Sequence, residues 1–203
     1  MDKELIGQIS GALVILSAVP YVYGLLKGRN DPEITSWSLW SVIGLSLLLT
    51  YKSSGAESNV WPAVFGFTNP IIITAIAIVK RGVRRKLSRL DCVCVVLCVV
   101  ALSMWLMVRT DRQLAQYALY LSIFADACAA IPTIALVWKN PMIDRPFAWG
   151  MFGIGYSVGL LAVPEWTFSN AILPIYMFVG SWSIMTPLVL VRIKNRIPLK
   201  EWV

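Results

Sequence analysis

The sequence predicts an all-α membrane protein with seven transmembrane helices in a 3+1+3 arrangement, two parallel three-helix repeats separated by one spacer helix. Three observations predict it. Hydrophobic residues make up 58% of the 203 positions and charged residues 14%, with a mean hydropathy of +0.70. A soluble domain carries about 25% charged residues to keep its surface solvated. The charges are also segregated, leaving seven runs that hold no charge or a single one: 5–26, 34–51, 58–79, 92–108, 113–138, 146–164 and 166–191. Finally, sliding the chain by 112 positions lays 9–80 on 121–192 and pairs residues that do not substitute freely for one another.

The runs are 17 to 26 residues long, and a hydrocarbon core of about 30 Å takes roughly 20 helical residues. Transmembrane barrel strands are excluded, since they alternate in hydrophobicity over about ten residues. Helices satisfy their own backbone hydrogen bonds, which lipid cannot do. The first run follows the acidic flank Asp2, Lys3 and Glu4 and exceeds the apolar region of a cleaved signal sequence, so it reads as a span. The second opens with Trp37 and Trp40, and the third carries Asn69-Pro70 at its middle. The fourth holds Cys92, Cys94 and Cys98; the fifth holds Asp126 and Cys128. The sixth has Gly150, Gly153, Gly155 and Gly159, which include small residues spaced for close helix approach. The seventh centres on Ser181-Trp182-Ser183. No room is left for a soluble domain. The chain divides into a first repeat at 1–82, a linker with the spacer helix at 83–112, and a second repeat with a cytoplasmic C-terminus at 113–203.

Seven spans put the termini on opposite sides, and the Lys and Arg count decides the orientation. Four lie on the N-terminal side (Lys3, Lys52, Arg109, Arg112) and fourteen on the other. The N-terminus is therefore expected outside and the C-terminus in the cytoplasm, in a plasma or inner membrane. The net charge of +7 then needs no nucleic-acid partner. The densest cluster, Lys80, Arg81, Arg84, Arg85, Lys86 and Arg89, reads as a topology anchor against anionic lipid headgroups. The four cysteines give no disulfide framework and behave as small hydrophobes. With no His in the chain, metal ligation is not expected, and no cofactor is implied. An enzyme is not expected either: there is no catalytic constellation, no clustered intramembrane carboxylate pair and no phosphate-binding glycine loop.

In the 112-residue register Pro20 falls on Pro132, Lys27 on Lys139, Trp37 on Trp149, Pro62 on Pro174 and Thr74 on Thr186. Runs one to three match runs five to seven, and run four is left over. Three helices reverse direction, so one intervening helix restores the orientation and makes the repeats parallel, a known transporter plan with its site between the halves. In this plan the chain resembles the SWEET and PQ-loop transporter superfamily. That signature places Pro-Gln near the cytoplasmic end of the first helix of each repeat, before a short basic loop. Here Pro20-Tyr21 precedes Lys27 and Arg29, and Pro132-Thr133 precedes Lys139 and Arg145. The prolines and loop bases match; the glutamines do not. The gating prolines of the family's second helices have their nearest counterparts in Pro32 and Pro146, at or before those helices.

Asp126 lies at the centre of the fifth run, where a carboxylate costs about 2.5–3.5 kcal/mol on insertion scales and usually faces a cavity or the bundle interior. It reads as a substrate hydrogen-bonder, a counter-charge for a cation or a proton-coupling site; the plainer reading is a protonated acid tying two helices together. Its repeat partner is Val14. Asn69 either satisfies a carbonyl freed by Pro70 or a neighbouring helix, or takes the sugar-contacting role that the resemblance implies for an asparagine in each third helix. Its repeat partner is Ser181, beside Trp182, and weak polar contacts with an aromatic face suit a neutral solute. The resemblance also implies aromatic platforms in the second helices, for which Trp40 and Tyr156 are the counterparts, with Phe152 matching Trp40. Trp37, Trp61, Trp138 and Trp149 lie near run ends and read as interfacial anchors. Pro20 with Pro132, and Pro62 with Pro174, read as paired hinges at the inner and outer gates.

The expected function is transport of a small neutral organic solute, sugar-like by resemblance, as one triplet rocks against the other. Two alternatives stay open. Asp126 admits a proton-coupled carrier of an amino acid or a vitamin-like solute, since nicotinamide riboside carriers share the plan. The KDEL receptor resembles the same architecture, so a non-transporting receptor is the other. One chain holds both repeats, so a cavity forms within a monomer, and a homo-oligomer remains compatible.

Overall fold

The computed structural model describes residues 2–30, 32, 34–81 and 89–202. Arg84, Arg85 and Lys86 of the basic cluster, and Asp31 and Glu33 of the charge count, lie outside the described residues. Within them the chain is helical and has no strand: α1 (Lys3–Leu16), α2 (Ala18–Leu26), α3 (Ile34–Ser53), α4 (Trp61–Arg81), α5 (Arg89–Val108), α6 (Arg112–Lys139), α7 (Pro146–Leu161) and α8 (Phe168–Lys194). Single 3-10 turns at Ser58–Val60 and Leu199–Glu201 complete them. Six helices are long and apolar enough to cross a membrane, with α1 and α2 counted as one span over Lys3–Leu26. Their outward surface is apolar, with Val79 at 89%, Met107 at 84% and Phe168 at 67% exposure. Apolar exposure on this scale marks a surface that faces something other than water.

The sixth run departs from expectation. Its helix, α7, has 16 residues rather than 19, about 24 Å at 1.5 Å per residue, short of a core of about 30 Å. The chain leaves the helix before Pro164, as the residue preceding a proline avoids helical geometry. The released carbonyls are claimed by side chains: Ala162 O accepts from Ser58 Oγ at 2.8 Å, and Val163 O and Pro164 O accept from Lys3 Nζ at 2.7 and 2.8 Å.

The first span breaks at Ser17, one turn before Pro20. Proline has no N–H and its ring crowds the carbonyl four residues back. At the break the Val14 carbonyl accepts from Ser17 N–H at 3.2 Å, Ser17 Oγ at 2.6 Å and Asn69 Nδ2 at 2.7 Å. Pro70, Pro132, Pro174 and Pro187 lie inside unbroken helices. Pro62 is the second residue of α4, where a proline costs no helical bond. Helix ends are closed locally. Asp2, Asp111 and Thr167 cap α1, α6 and α8. At the end of α2, Gly28 (φ +72°) donates to Leu25 O and Arg29 N–H to Gly24 O, the paired bonds of a left-handed C-terminal cap.

Helix α1 packs on α4 and α7, α3 on α4, α5 and α6, and α8 on α6 and α7. The α1–α7 pair is the most extensive, and small residues let its backbones meet. A Cβ on Gly155 would stand 2.7 Å from Val14 Cγ2 and 3.1 Å from Ser10 O; one on Gly159 would stand 2.9 Å from Ser10 Oγ. Ser10 Oγ donates to Gly155 O at 2.7 Å. On its other face, a Cβ on Gly7 would lie 1.8 Å from the Ser58 carbonyl oxygen. Cys94 and Cys98 of α5 are buried with Ile43, Leu47 and Leu119 in the largest apolar cluster, and all four cysteines are free thiols.

The two ends of the bundle differ. At the end holding Lys3, Tyr51 OH donates to Asn170 O at 2.6 Å, and Asn59 Nδ2 donates to the same carbonyl at 3.1 Å. These bonds, with those of Ser58 and Lys3, stitch α1, α3 and the start of α4 to α7 and α8. At the opposite end, Lys80 Nζ holds Leu25 O at 2.8 Å and also reaches Leu26 O. Arg192, fully buried, holds Pro141 O at 3.1 Å and Asp144 O at 2.7 Å.

Overpacking at backbone contact costs roughly 1–3 kcal/mol. Gly7→Val and Gly155→Val are therefore expected to lower the unfolding midpoint in detergent by several degrees. Gly180, with nothing within 4 Å of its Cβ position, is expected to accept alanine with an unchanged or higher midpoint. Equal midpoints for all three variants would contradict the packing.

Candidate functional site

Between α1–α4 on one side and α6–α8 on the other lies a cavity of about 120 Å³, small beside the roughly 300–1,000 Å³ of drug-sized sites. Six aromatic rings run along its wall in unbroken contact. Tyr21 meets Trp37 at 4.8 Å between centroids, Trp37 meets Trp40 edge-on at 5.3 Å, and both tryptophans meet Trp149 at 6.3 Å. Trp149 continues to Phe152 at 6.5 Å and Phe152 to Tyr156 at 5.0 Å. All six line the cavity. Edge-on and tilted ring pairs of this spacing are favourable beyond their area.

The polar groups sit on this aromatic frame. Asp126, buried in α6, accepts from Tyr176 OH of α8 at 2.6 Å. Asn69 of α4 gives its amide hydrogens to Val14 O and, at 3.0 Å, to Ser17 Oγ, while its Oδ1 is buried with no partner. Ser181 donates to Met177 O at 2.7 Å within its own helix. Tyr156 OH donates to Pro62 O at 3.1 Å, and Gly66 makes room for it: a Cβ there would lie 2.5 Å from the hydroxyl.

Five of the six residues expected at a binding site, Asn69, Asp126, Trp40, Tyr156 and Ser181, line this one cavity. Trp182 does not; it stands against Gly153 with its indole nitrogen buried and unpartnered. Among the expected hinges, Pro20 is half-buried in α2 just past the break, Pro132 is exposed on α6, and Pro62 and Pro174 are buried. None of the four lines the cavity. Asn69 bonds the broken first span rather than the carbonyl freed by Pro70.

The anchor reading of Trp37 and Trp149 is corrected. Both sit near helix ends, but both point inward, and Trp37 is only 9% exposed. A place near a helix end sets a ring's depth but not its direction around the helix. Their pairing in the 112-residue register was the available signal. Trp61 and Trp138 do lie on the surface side, donating to Glu4 Oε1 at 2.6 Å and Ser183 O at 3.1 Å. Tyr21, which stands where the Pro-Gln signature has its glutamine, joins the wall, as do Phe67 and Tyr176, whose spacing carries no signal.

Trp149 is aimed by Asp144, in the α6–α7 connection, whose Oδ2 accepts the indole N–H at 3.0 Å and Oδ1 the Arg145 N–H at 2.7 Å. Burial pushes the Asp144 carboxyl above the usual range; the Trp149 and Arg145 bonds and the charges of Arg192 and Arg145 oppose that shift. Among the described residues no three His, Cys, Asp or Glu side chains gather as a metal site.

Fold and site define the class: among the described residues, a helical chain with six helices long and apolar enough to span a membrane, around an aromatic cavity that carries a buried carboxylate. Compared with protein-family models, curated proteins and solved structures, the chain matches none.

A hydrogen bond to an ionised group contributes about 1.5–3 kcal/mol and a neutral one about 0.5–1.5. Tyr176→Phe is therefore expected to cost about 1–3 kcal/mol in reversible unfolding from mixed micelles. A double-mutant cycle with Asp126→Asn should show coupling above about 0.5 kcal/mol; strict additivity would remove the pair from the site.

Proposed function

We propose that the chain is a membrane carrier of a small organic solute, working by alternating access between two parallel three-helix repeats about this cavity. The single observation that carries the reading is the composition of the cavity wall. Residues 1–82 supply Ser17, Trp37, Trp40 and Asn69; residues 113–203 supply Asp126, Trp149, Phe152, Tyr156 and Ser181; α5 supplies none. A helix that stays out of the cavity fits the role of spacer in a 3+1+3 plan.

Packing supports the same reading. The contact pattern α1–α4, α4–α3 recurs as α6–α8, α8–α7, and the cross-contact α1–α7 recurs as α6–α3. Two further register pairs act alike. Ser10 bonds Gly155 O of α7, and Ser122 meets Ser46 of α3 at 2.8 Å. Lys80 and Arg192 each hold carbonyls at or just beyond the end of the first helix of their own repeat. In this reading the bonded end is a closed outer gate and the Tyr21–Trp149 end faces the cytoplasm, with the N-terminus outside. The SWEET and PQ-loop resemblance implies a sugar, for which an aromatic wall is suited. The carboxylate in the wall favours a proton-coupled carrier as the second reading.

The test is uptake into proteoliposomes of sugars, nucleosides and amines, with and without a pH gradient. Saturable flux is expected, falling at least tenfold in Asp126→Asn. Accumulation driven by the gradient and lost in that variant identifies a coupled carrier; equilibration indifferent to the gradient identifies a facilitator. Saturable binding with no flux of any solute overturns the carrier reading in favour of a receptor. If the break at Ser17 and the equivalent turn of α6 are hinges, Pro20→Ala and Pro132→Ala slow transport several-fold; unchanged rates remove that role.

A further inference from the structure

We infer that the cavity takes a small organic monocation, a quaternary ammonium or a cationic heteroaromatic ring, rather than a neutral sugar, an anion or a zwitterion. This rests on the reading of the cavity as a ligand site, and three features of its wall carry it.

The first is charge. Among the described residues Asp126 is the sole charged one in the lining, and it accepts from a neutral phenol. A buried carboxylate that stays ionised is costly unless a positive group meets it, and the described lining provides none. The second is the direction of the hydrogen bonds. Ser17, Ser181, Tyr156, Tyr176 and the Asn69 amide all give their hydrogens to protein acceptors. The Trp149 indole does the same toward Asp144. Asn69 Oδ1 is buried without a partner. The wall keeps the indole N–H groups of Trp37 and Trp40 as donors beside the oxygens of these hydroxyls and of Asp126. A polyol, whose hydroxyls both donate and accept, and a carboxylate or phosphate therefore find few donors for their acceptors here.

The third feature is the ring array. A cation within about 6 Å of an aromatic face is attracted by the ring quadrupole, most strongly by tryptophan, and aromatic enclosures recognise methylated ammonium groups this way. Trp37, Trp40 and Trp149 lie mutually within 5.3–6.3 Å and all three line the cavity, a cluster rich in aromatic surface. Such a wall is weak for a strongly hydrated primary ammonium and strong for a cation with an apolar shell.

The test is binding to the purified full-length protein by calorimetry. Tetramethylammonium, choline and N-methylpyridinium are compared with 3,3-dimethylbutan-1-ol, the uncharged isostere of choline, and with glucose and alanine. At least one cation is expected to bind ten or more times tighter than the isostere. Asp126→Asn should shrink that preference below threefold, and Trp40→Leu should weaken the cation at least fivefold. If Asp126→Asn does not fold, the wild-type comparison and Trp40→Leu decide. No preference for any cation over the isostere overturns the inference. So does tight glucose or alanine binding, or a cation preference that survives Asp126→Asn. Cation binding without flux in proteoliposomes sinks the carrier reading and leaves this one standing; flux of a neutral solute without cation preference does the reverse.

Discussion

The rest of the structure depends on how closely α1 and α7 approach at one end. Where Ser10 faces Gly155 and Gly159 the helices touch backbone to backbone. At the same end α7 stops and leaves carbonyls with no helical partner, and a buried one costs about 1–3 kcal/mol if unmet. The side chains at this end answer that demand. Ser10 serves Gly155, Ser58 serves Ala162, Lys3 serves Val163 and Pro164, and Tyr51 with Asn59 serves Asn170. Past the break, α2 follows α1 along α7 and brings Ala18 and Tyr21 to the side of Ala148, Trp149 and Phe152, all of them cavity-lining. Rings hold apart what glycines bring together, and the cavity is the gap that results.

The break in the first span obeys the same rule. Pro20 leaves the turn before it short of a donor, and the chain responds by ending α1 at Leu16 and restarting at Ala18. Asn69 crosses from α4 to bond the Val14 carbonyl there. The two readings of this asparagine are thus compatible in one side chain. Its nitrogen holds the broken helix, and its oxygen is buried beside the cavity without a partner. A residue that ties a helix discontinuity to a binding wall also couples the two, since displacing either loads the same amide.

In the proposed register the two halves are alike in their supporting contacts and different in the polar groups of the cavity wall. Lys80 holds the last carbonyls of α2 and Arg192 those just past α6, and Trp37 and Trp149 stand together in one ring cluster. Val14 and Asp126 share a position but differ by a charge, and Asn69 and Ser181 by an amide. Serine is too short to reach across, so Ser181 turns to its own helix instead. The polar groups of the cavity are therefore placed unevenly on a nearly symmetrical aromatic frame. A ligand held there is oriented by that unevenness.

What the sequence by itself determined was whatever depends on length and sign. A run of about twenty uncharged residues has few options but a helix, so the long helices and most of their limits were legible. Asp126 was legible as well, because one carboxylate in 26 apolar residues is conspicuous whatever surrounds it. So was Asn69, polar beside a proline in mid-helix. Tertiary structure alone decided which way each side chain points. The third dimension brought Trp37 and Trp149 inward, left Trp182 outside the cavity and set Tyr176 on Asp126. Hydrophobic periodicity normally reports direction around a helix, because water favours polar residues on one face. A helix with apolar surroundings on every side has no such contrast, so its rotation is set by packing against its neighbours. The shortness of α7 was hidden for a related reason. Its last three apolar residues, Ala162, Val163 and Pro164, look like span, but their carbonyls are held by Ser58 and Lys3 from distant parts of the chain.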